Sequence, residues 1–133
     1  DSTRPAFFSW LGVTTYLTRE ANLAALRSIA SSAAIGSELV FTYVAQAAFD
    51  STELTTSTLG KSVASIGEPF LSGFDPNTLS RDLHDVGFAV LEDLDDSQVV
   101  ERYDPHRLNA LKPARYSRIA HARVAGVAEH GAA

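Results

Sequence analysis

Apolar residues fall in short runs separated by polar, glycine-marked breaks, and the spacing within each run selects an element. Ala6-Phe7-Phe8-Ser9-Trp10-Leu11 follows Arg4-Pro5 and is almost continuously apolar, with three aromatic rings. Such a run predicts a strand buried on both faces, as in a parallel sheet. Gly12 breaks it, and Thr18 is placed to cap a helix with Glu20 near its positive end. Leu23, Leu26 and Ile29, among alanines, give that helix its apolar stripe to about Ser31. After Gly36, the segment Glu38 to Val44 is β-branched and aromatic and predicts a second strand. Strand, helix and strand make one βαβ unit, whose crossover should be right-handed.

Further along, Ser, Thr and Ala dominate, and Leu59, Val63 and Ile66 have weak helical spacing. A helix is expected there, without sharp limits. Asp75 stands as an N-cap before Pro76, with Leu79, Leu83 and Val86 as a buried stripe and Gly87 as a left-handed stop. Phe88 to Leu94 predicts a third strand. A short helix around Val99 to Tyr103 and a turn at Asp104-Pro105 come next, then a last strand over Tyr116 to Val124. From Ala125 the tail is expected to fray. Neither an internal repeat nor a domain boundary is visible, so residues 1–133 read as one domain.

Composition narrows the function classes. A formal charge of -5 with eleven scattered basic residues opposes attraction to nucleic acid or an anionic membrane. The one loose basic group is Arg115, Arg118, His121 and Arg123. Without cysteine there is no disulfide, zinc–thiolate site or thiol nucleophile, which fits a cytoplasmic protein. No apolar run reaches the roughly 18 residues that span a bilayer, and no basic start with an apolar stretch marks a signal peptide. The chain also lacks methionine, including at its first position, which suggests a fragment or a processed chain.

Local chemical motifs are few. Gly60-Lys61-Ser62 ends like a phosphate loop, but Thr55 occupies the position of the required first glycine. None of the eight glycines forms G-x-G-x-x-G, so there is no dinucleotide loop. Glu92, Asp93, Asp95 and Asp96 read as solvated carboxylates at a strand end rather than a cation site. His84, His106, His121 and His130 lack metal-ligand spacing, and His84 is expected at the surface; no metal is predicted. No serine has a G-x-S-x-G elbow around it.

More comes from a resemblance. Phe7-Phe8-Ser9-Trp10-Leu11-Gly12-Val13-Thr14-Thr15-Tyr16-Leu17-Thr18-Arg19-Glu20 resembles the strand-to-helix segment at the fourth strand of the leucine carboxyl methyltransferase-like family. It is most similar to the bacterial small-molecule O-methyltransferase branch, with its Gly-Val-x-x-Tyr-Leu-Thr-x-Glu pattern. Gly36 to Tyr43 resembles the fifth strand of those enzymes, Gly87 to Asp93 the sixth and Tyr116 to Val124 the seventh. Gly67-Glu68-Pro69-Phe70 and Phe74-Asp75-Pro76 resemble the link into the last helix.

The resemblance implies an α/β fold: half of a doubly wound, Rossmann-like sheet of order 4-5-7-6, with the last strand antiparallel between its neighbours. It implies a class I S-adenosylmethionine-dependent methyltransferase that transfers a methyl group to the carboxylate or hydroxyl of a small molecule. Ser9, Trp10 and Leu11 would lie beside the cofactor, and Tyr16 and Tyr43 beside the substrate. The family often carries an acid where this chain has Leu11, which cannot accept a hydrogen bond from an ammonium. The glycine loop and acids that hold most of the cofactor would belong to an N-terminal half outside these residues. On this reading the chain alone binds S-adenosylmethionine weakly and is inactive, and residues 6–17 become an apolar edge open to self-association. A self-associating remnant without activity, or one chain of a split enzyme, are the alternatives.

Overall fold

The computed structural model describes residues 3–48, 72–110 and 116–126. The helical spacing at Leu59, Val63 and Ile66, the Gly60-Lys61-Ser62 triplet, Gly67 to Phe70, and the tail beyond Gly126 lie outside the described residues. Within them, four strands form one sheet of order β1-β2-β4-β3. These are β1 (Phe7–Trp10), β2 (Glu38–Val44), β3 (Phe88–Asp95) and β4 (Ser117–Val124). β1 and β2 are parallel, while β4 runs antiparallel to both β2 and β3. The expected order and the inverted strand between its neighbours are both present.

The α-helices among the described residues are α1 (Arg19–Ser32), α2 (Leu79–Asp85) and α3 (Asp96–Tyr103). From β1 through α1 to β2, and from β2 through α2 to β3, the chain advances across the sheet in the same direction. Crossovers of one hand and one direction put their helices on one face. Leu26 and Ala30 of α1 share a buried cluster with Leu79 and Leu83 of α2. That cluster rests on Leu39, Phe41 and Tyr43 of β2 and Ala120, Ala122 and Val124 of β4. Burying each large member contributes roughly 1.5–3 kcal/mol relative to leaving it in water. α3 serves the other face, where Arg102 pairs with Glu92 at 2.7 Å.

Three local readings hold and three change. Thr18 caps α1 by accepting from the Ala21 N–H at 3.1 Å. Gly12 at φ +70 and Gly87 at φ +103 occupy the left-handed region that ends each preceding segment. Glu38 to Val44 forms β2 with alternate residues buried. Asp75, by contrast, does not cap α2: its Oδ1 accepts from the Asn77 N–H at 2.9 Å and its carbonyl from the Thr78 N–H at 3.1 Å. An Asx turn therefore uses Asp75 first, and α2 starts at Leu79 after Thr78. β1 is not buried on both faces either, because it is the edge of the described sheet and Phe7 is 64% exposed.

The α3 start also lies earlier than expected. Asp95 accepts from the Gln98 N–H, and the Gln98 side chain returns a bond to the Asp95 N–H, both at 2.8 Å. This reciprocal cap satisfies two backbone donors and begins the helix at Asp96. Asp95→Ala is expected to lower stability by about 1 kcal/mol in urea denaturation, and Asp75→Ala by less. Equal midpoints for Asp95→Ala and wild type would show that the cap is dispensable.

Candidate functional site

β3 runs parallel to β1 and β2, since both β2 and β3 oppose β4. The carboxyl ends of these three strands lie at one edge, where open α/β sheets bind ligands. Leu11 to Leu17 leaves β1 at this edge, and residues 45–48 and 72–74 meet beyond β2. Phe74 joins Val44 and Gln46 through backbone bonds of 3.0 and 2.8 Å.

The sequence-derived candidates separate here into exposed and buried groups. Ser9 is exposed on the edge strand. Trp10 is half-buried and packs against the core. Leu11 and Tyr16 are 56% and 37% exposed, at the strand end and in the short helical turn Thr14–Tyr16. Tyr43 lies one strand away and is only 1% exposed. Leu11 and Tyr16 are thus exposed points of one rim, with Thr14 and Thr15 buried between them, whereas Tyr43 sits within the sheet's covered face.

The Tyr43 hydroxyl has a partner set that its strand position alone did not reveal. It donates to the Asp93 carboxylate, 2.8 Å from each oxygen, and accepts from Arg118 Nε at 2.9 Å. Arg118 also reaches Asp93 through Nε and Nη2, both at 3.2 Å. Register puts Arg118 beside Tyr43, and Asp93 beside Ala120, so all three side chains share one face. Burial, reinforced by the hydrogen bond to Asp93, pushes the Tyr43 hydroxyl well above the ordinary tyrosine value near 10. It is held as a neutral donor.

The carboxylates read as solvated have distinct tasks. Asp93 is half-buried in the tyrosine–arginine group, and Asp95 caps α3. Glu92 pairs with Arg102, which holds its carboxyl below the ordinary glutamate range. His121 Nε2 lies 3.0 Å from Glu38 Oε1 on the opposite face. His84 is exposed beside Asp85. Among the described residues, no group of three or more His, Asp or Glu could hold a metal ion.

A cofactor test can be made on the rim itself. Leu11 offers an apolar wall, and nothing lies within 4 Å of where a Gly12 side chain would stand. A ligand could approach that backbone closely, but neither side chain can accept a hydrogen bond from an ammonium. These positions suit the side wall of a cofactor site rather than its polar grip.

No family model matches the chain. It is 30% identical over 107 residues to YktD of Bacillus subtilis strain 168, provisionally named an S-adenosyl-L-methionine-dependent methyltransferase. That match covers 79% of this chain and 35% of the relative. A DUF574 family protein from Streptomyces avermitilis MA-4680 superposes with a TM-score of 0.62 over 93% of this chain and 46% of its own, at 16% identity. A Bordetella parapertussis protein superposes with a TM-score of 0.57 over 92% and 40%, at 15% identity. The chain therefore spans about a third of the curated relative and less than half of either solved protein. The likeness to the solved proteins is one of fold: among the described residues this chain is α/β, with a mixed four-stranded sheet and flanking helices. No helix among the described residues is long and apolar enough to cross a membrane.

Tyr43→Phe is expected to cost about 1–2 kcal/mol, because Asp93 and Arg118 each lose a buried partner. Since the folded hydroxyl titrates above its unfolded value, its stabilising effect is present below about pH 10 and lost as pH rises further. The ultraviolet difference between wild type and Tyr43→Phe should show no phenolate from Tyr43 at pH 10–11 in the folded protein. Ordinary titration near pH 10 would contradict the buried geometry.

Proposed function

We propose that these residues form the substrate-side half of an S-adenosylmethionine-dependent methyltransferase of the leucine carboxyl methyltransferase-like kind. The carrying observation is the sequence match to YktD over 79% of the chain. The sheet order β1-β2-β4-β3, with its inverted strand, agrees with that reading. The substrate is a small molecule presenting a carboxylate or hydroxyl oxygen. The reading includes a cytoplasmic setting and no nucleic-acid partner, in keeping with a net charge of -5 and no cysteine.

S-adenosylmethionine supplies a methyl group on a sulfonium, whose transfer to oxygen depends chiefly on proximity and orientation. The chain's contribution is then shape. Ser9, Trp10 and Leu11 line the cofactor side, Tyr16 faces the substrate, and Tyr43 supports the adjoining wall with its hydroxyl fixed by Asp93. On this reading the polar grip on the cofactor comes from another half of the fold in the same polypeptide, in keeping with a match that spans 35% of the relative's length.

A second reading rests on Phe7, which is 64% exposed on a strand with one neighbour among the described residues. Such an edge pairs readily with another strand, so residues 6–17 would mediate self-association wherever the complementary half is absent.

Calorimetric titration of S-adenosylmethionine tests the first reading. The full natural polypeptide carrying these residues should bind at micromolar concentration, and residues 1–133 alone at about millimolar or weaker. No binding by the full polypeptide would overturn the methyltransferase reading; micromolar binding by residues 1–133 would overturn the half-site assignment. In sedimentation at tens of micromolar, residues 1–133 should form dimers or larger species that Ser9→Lys dissociates. A clean wild-type monomer would remove the second reading.

A further inference from the structure

The turn leaving β1 is tied down by side chains outside the rim. The Gly12 N–H donates to Thr42 Oγ1 at 2.7 Å, and Thr14 Oγ1 donates to the Thr42 carbonyl at 2.8 Å. One threonine on β2 therefore holds both limbs of the turn. Asn22 Nδ2 donates to the Thr14 carbonyl at 2.8 Å and to Ser72 Oγ at 3.2 Å. Ser72 Oγ in turn donates to the Leu17 carbonyl at 2.6 Å. Gly12, Thr14 and Leu17 are thus fixed to three separate parts of the fold.

Asn22 shows that this arrangement has a cost. It is fully buried in α1, and among the described residues its Oδ1 has no hydrogen-bond partner. Exchanging the amide's oxygen and nitrogen would not help. The Thr14 carbonyl can only accept, and the Ser72 hydroxyl already donates to Leu17, so both contacts require the amide N–H groups. A buried orphan acceptor is unfavourable, and an apolar residue would avoid it. What the carboxamide supplies is the hold on Thr14 and Ser72.

Next to these fixed points stand the exposed groups: Leu11 immediately before Gly12, and Tyr16 between Thr14 and Leu17. We propose that Thr42, supported by Asn22 and Ser72, is a positioning residue: it presets the 11–17 turn so that Leu11 and Tyr16 meet the ligand in one arrangement. This rests on the methyltransferase reading, in which that turn borders the cofactor and substrate. Presetting a binding segment raises affinity by removing the ordering cost from the binding step. The Gly12 bond to Thr42 is exposed, so water can replace it, and its loss should disturb the turn more than the fold.

Thr42→Val preserves the β-branched shape and removes the acceptor, while Thr42→Ser restores it. The full natural polypeptide is measured by hydrogen exchange across residues 11–17 and by calorimetric titration with S-adenosylmethionine. Thr42→Val should speed exchange in the turn, barely move the thermal midpoint and weaken binding about tenfold or more. Thr42→Ser should return both exchange and affinity to near wild type. Thr42→Ala, which lacks both branches, should match Thr42→Val and serves in its place if the valine variant does not fold. Faster exchange with unchanged affinity would overturn the positioning role and leave the methyltransferase reading standing. Unchanged exchange would overturn the clasp itself. A wild-type polypeptide that binds no S-adenosylmethionine would defeat the underlying reading and the positioning role with it.

Discussion

The insertion of β4 between β2 and β3 is the constraint on which the described architecture depends. β4 opposes β2 from Glu38↔Arg123 to Val44↔Ser117, and opposes β3 from Phe88↔Val124 to Asp95↔Arg118. Because both neighbours are antiparallel to it, β2 and β3 share a direction, and so do their carboxyl ends. The same insertion brings Arg118 beside Tyr43 and within 3.2 Å of Asp93, joining three strands near that edge. Removing one partner of a buried, charge-assisted group leaves the others uncompensated, so the register is maintained by polar pairing as well as by the apolar cluster. The pairing also leaves β1 with β2 as its one neighbour in the described sheet.

The carboxyl edge combines a rigid base with exposed tips. Tyr43 is held neutral below it, while Thr42, the preceding residue on β2, faces the other way and holds the turn after β1. Adjacent residues of one strand thus serve opposite faces, as the alternation of a pleated strand requires. Leu11 and Tyr16 contribute apolar surface and a ring at the rim rather than acid–base chemistry. That division suits a reaction governed by orientation.

Much of this was legible in the chain because the relevant signals are local. The β-branched and aromatic run from Glu38 to Val44 marked β2, and Thr18 announced the start of α1. The resemblance supplied the order of the sheet. Local signals failed where two structures competed for one residue: Asp75 and Pro76 fit a helix start, but the Asx turn took Asp75 first. The exposure of Phe7 depends on which strands flank it, something a run of apolar residues cannot express. Tyr43, Asp93 and Arg118 lie 25 to 75 residues apart, so no spacing rule could gather them. Asn22 carries no local signal of burial, and only its bonds to Thr14 and Ser72, distant in sequence or across a turn, give it a place inside the fold.

The central claim is that the ligand is met by the turn after β1. Photo-crosslinking of radiolabelled S-adenosylmethionine to the full natural polypeptide, followed by peptide mapping, tests it most directly. Among residues 1–133, label should concentrate between Ser9 and Leu17 and be displaced by excess S-adenosylhomocysteine. Displaceable label at the opposite edge of the sheet, around residues 35–38 or 123–126, with none between Ser9 and Leu17, would contradict it.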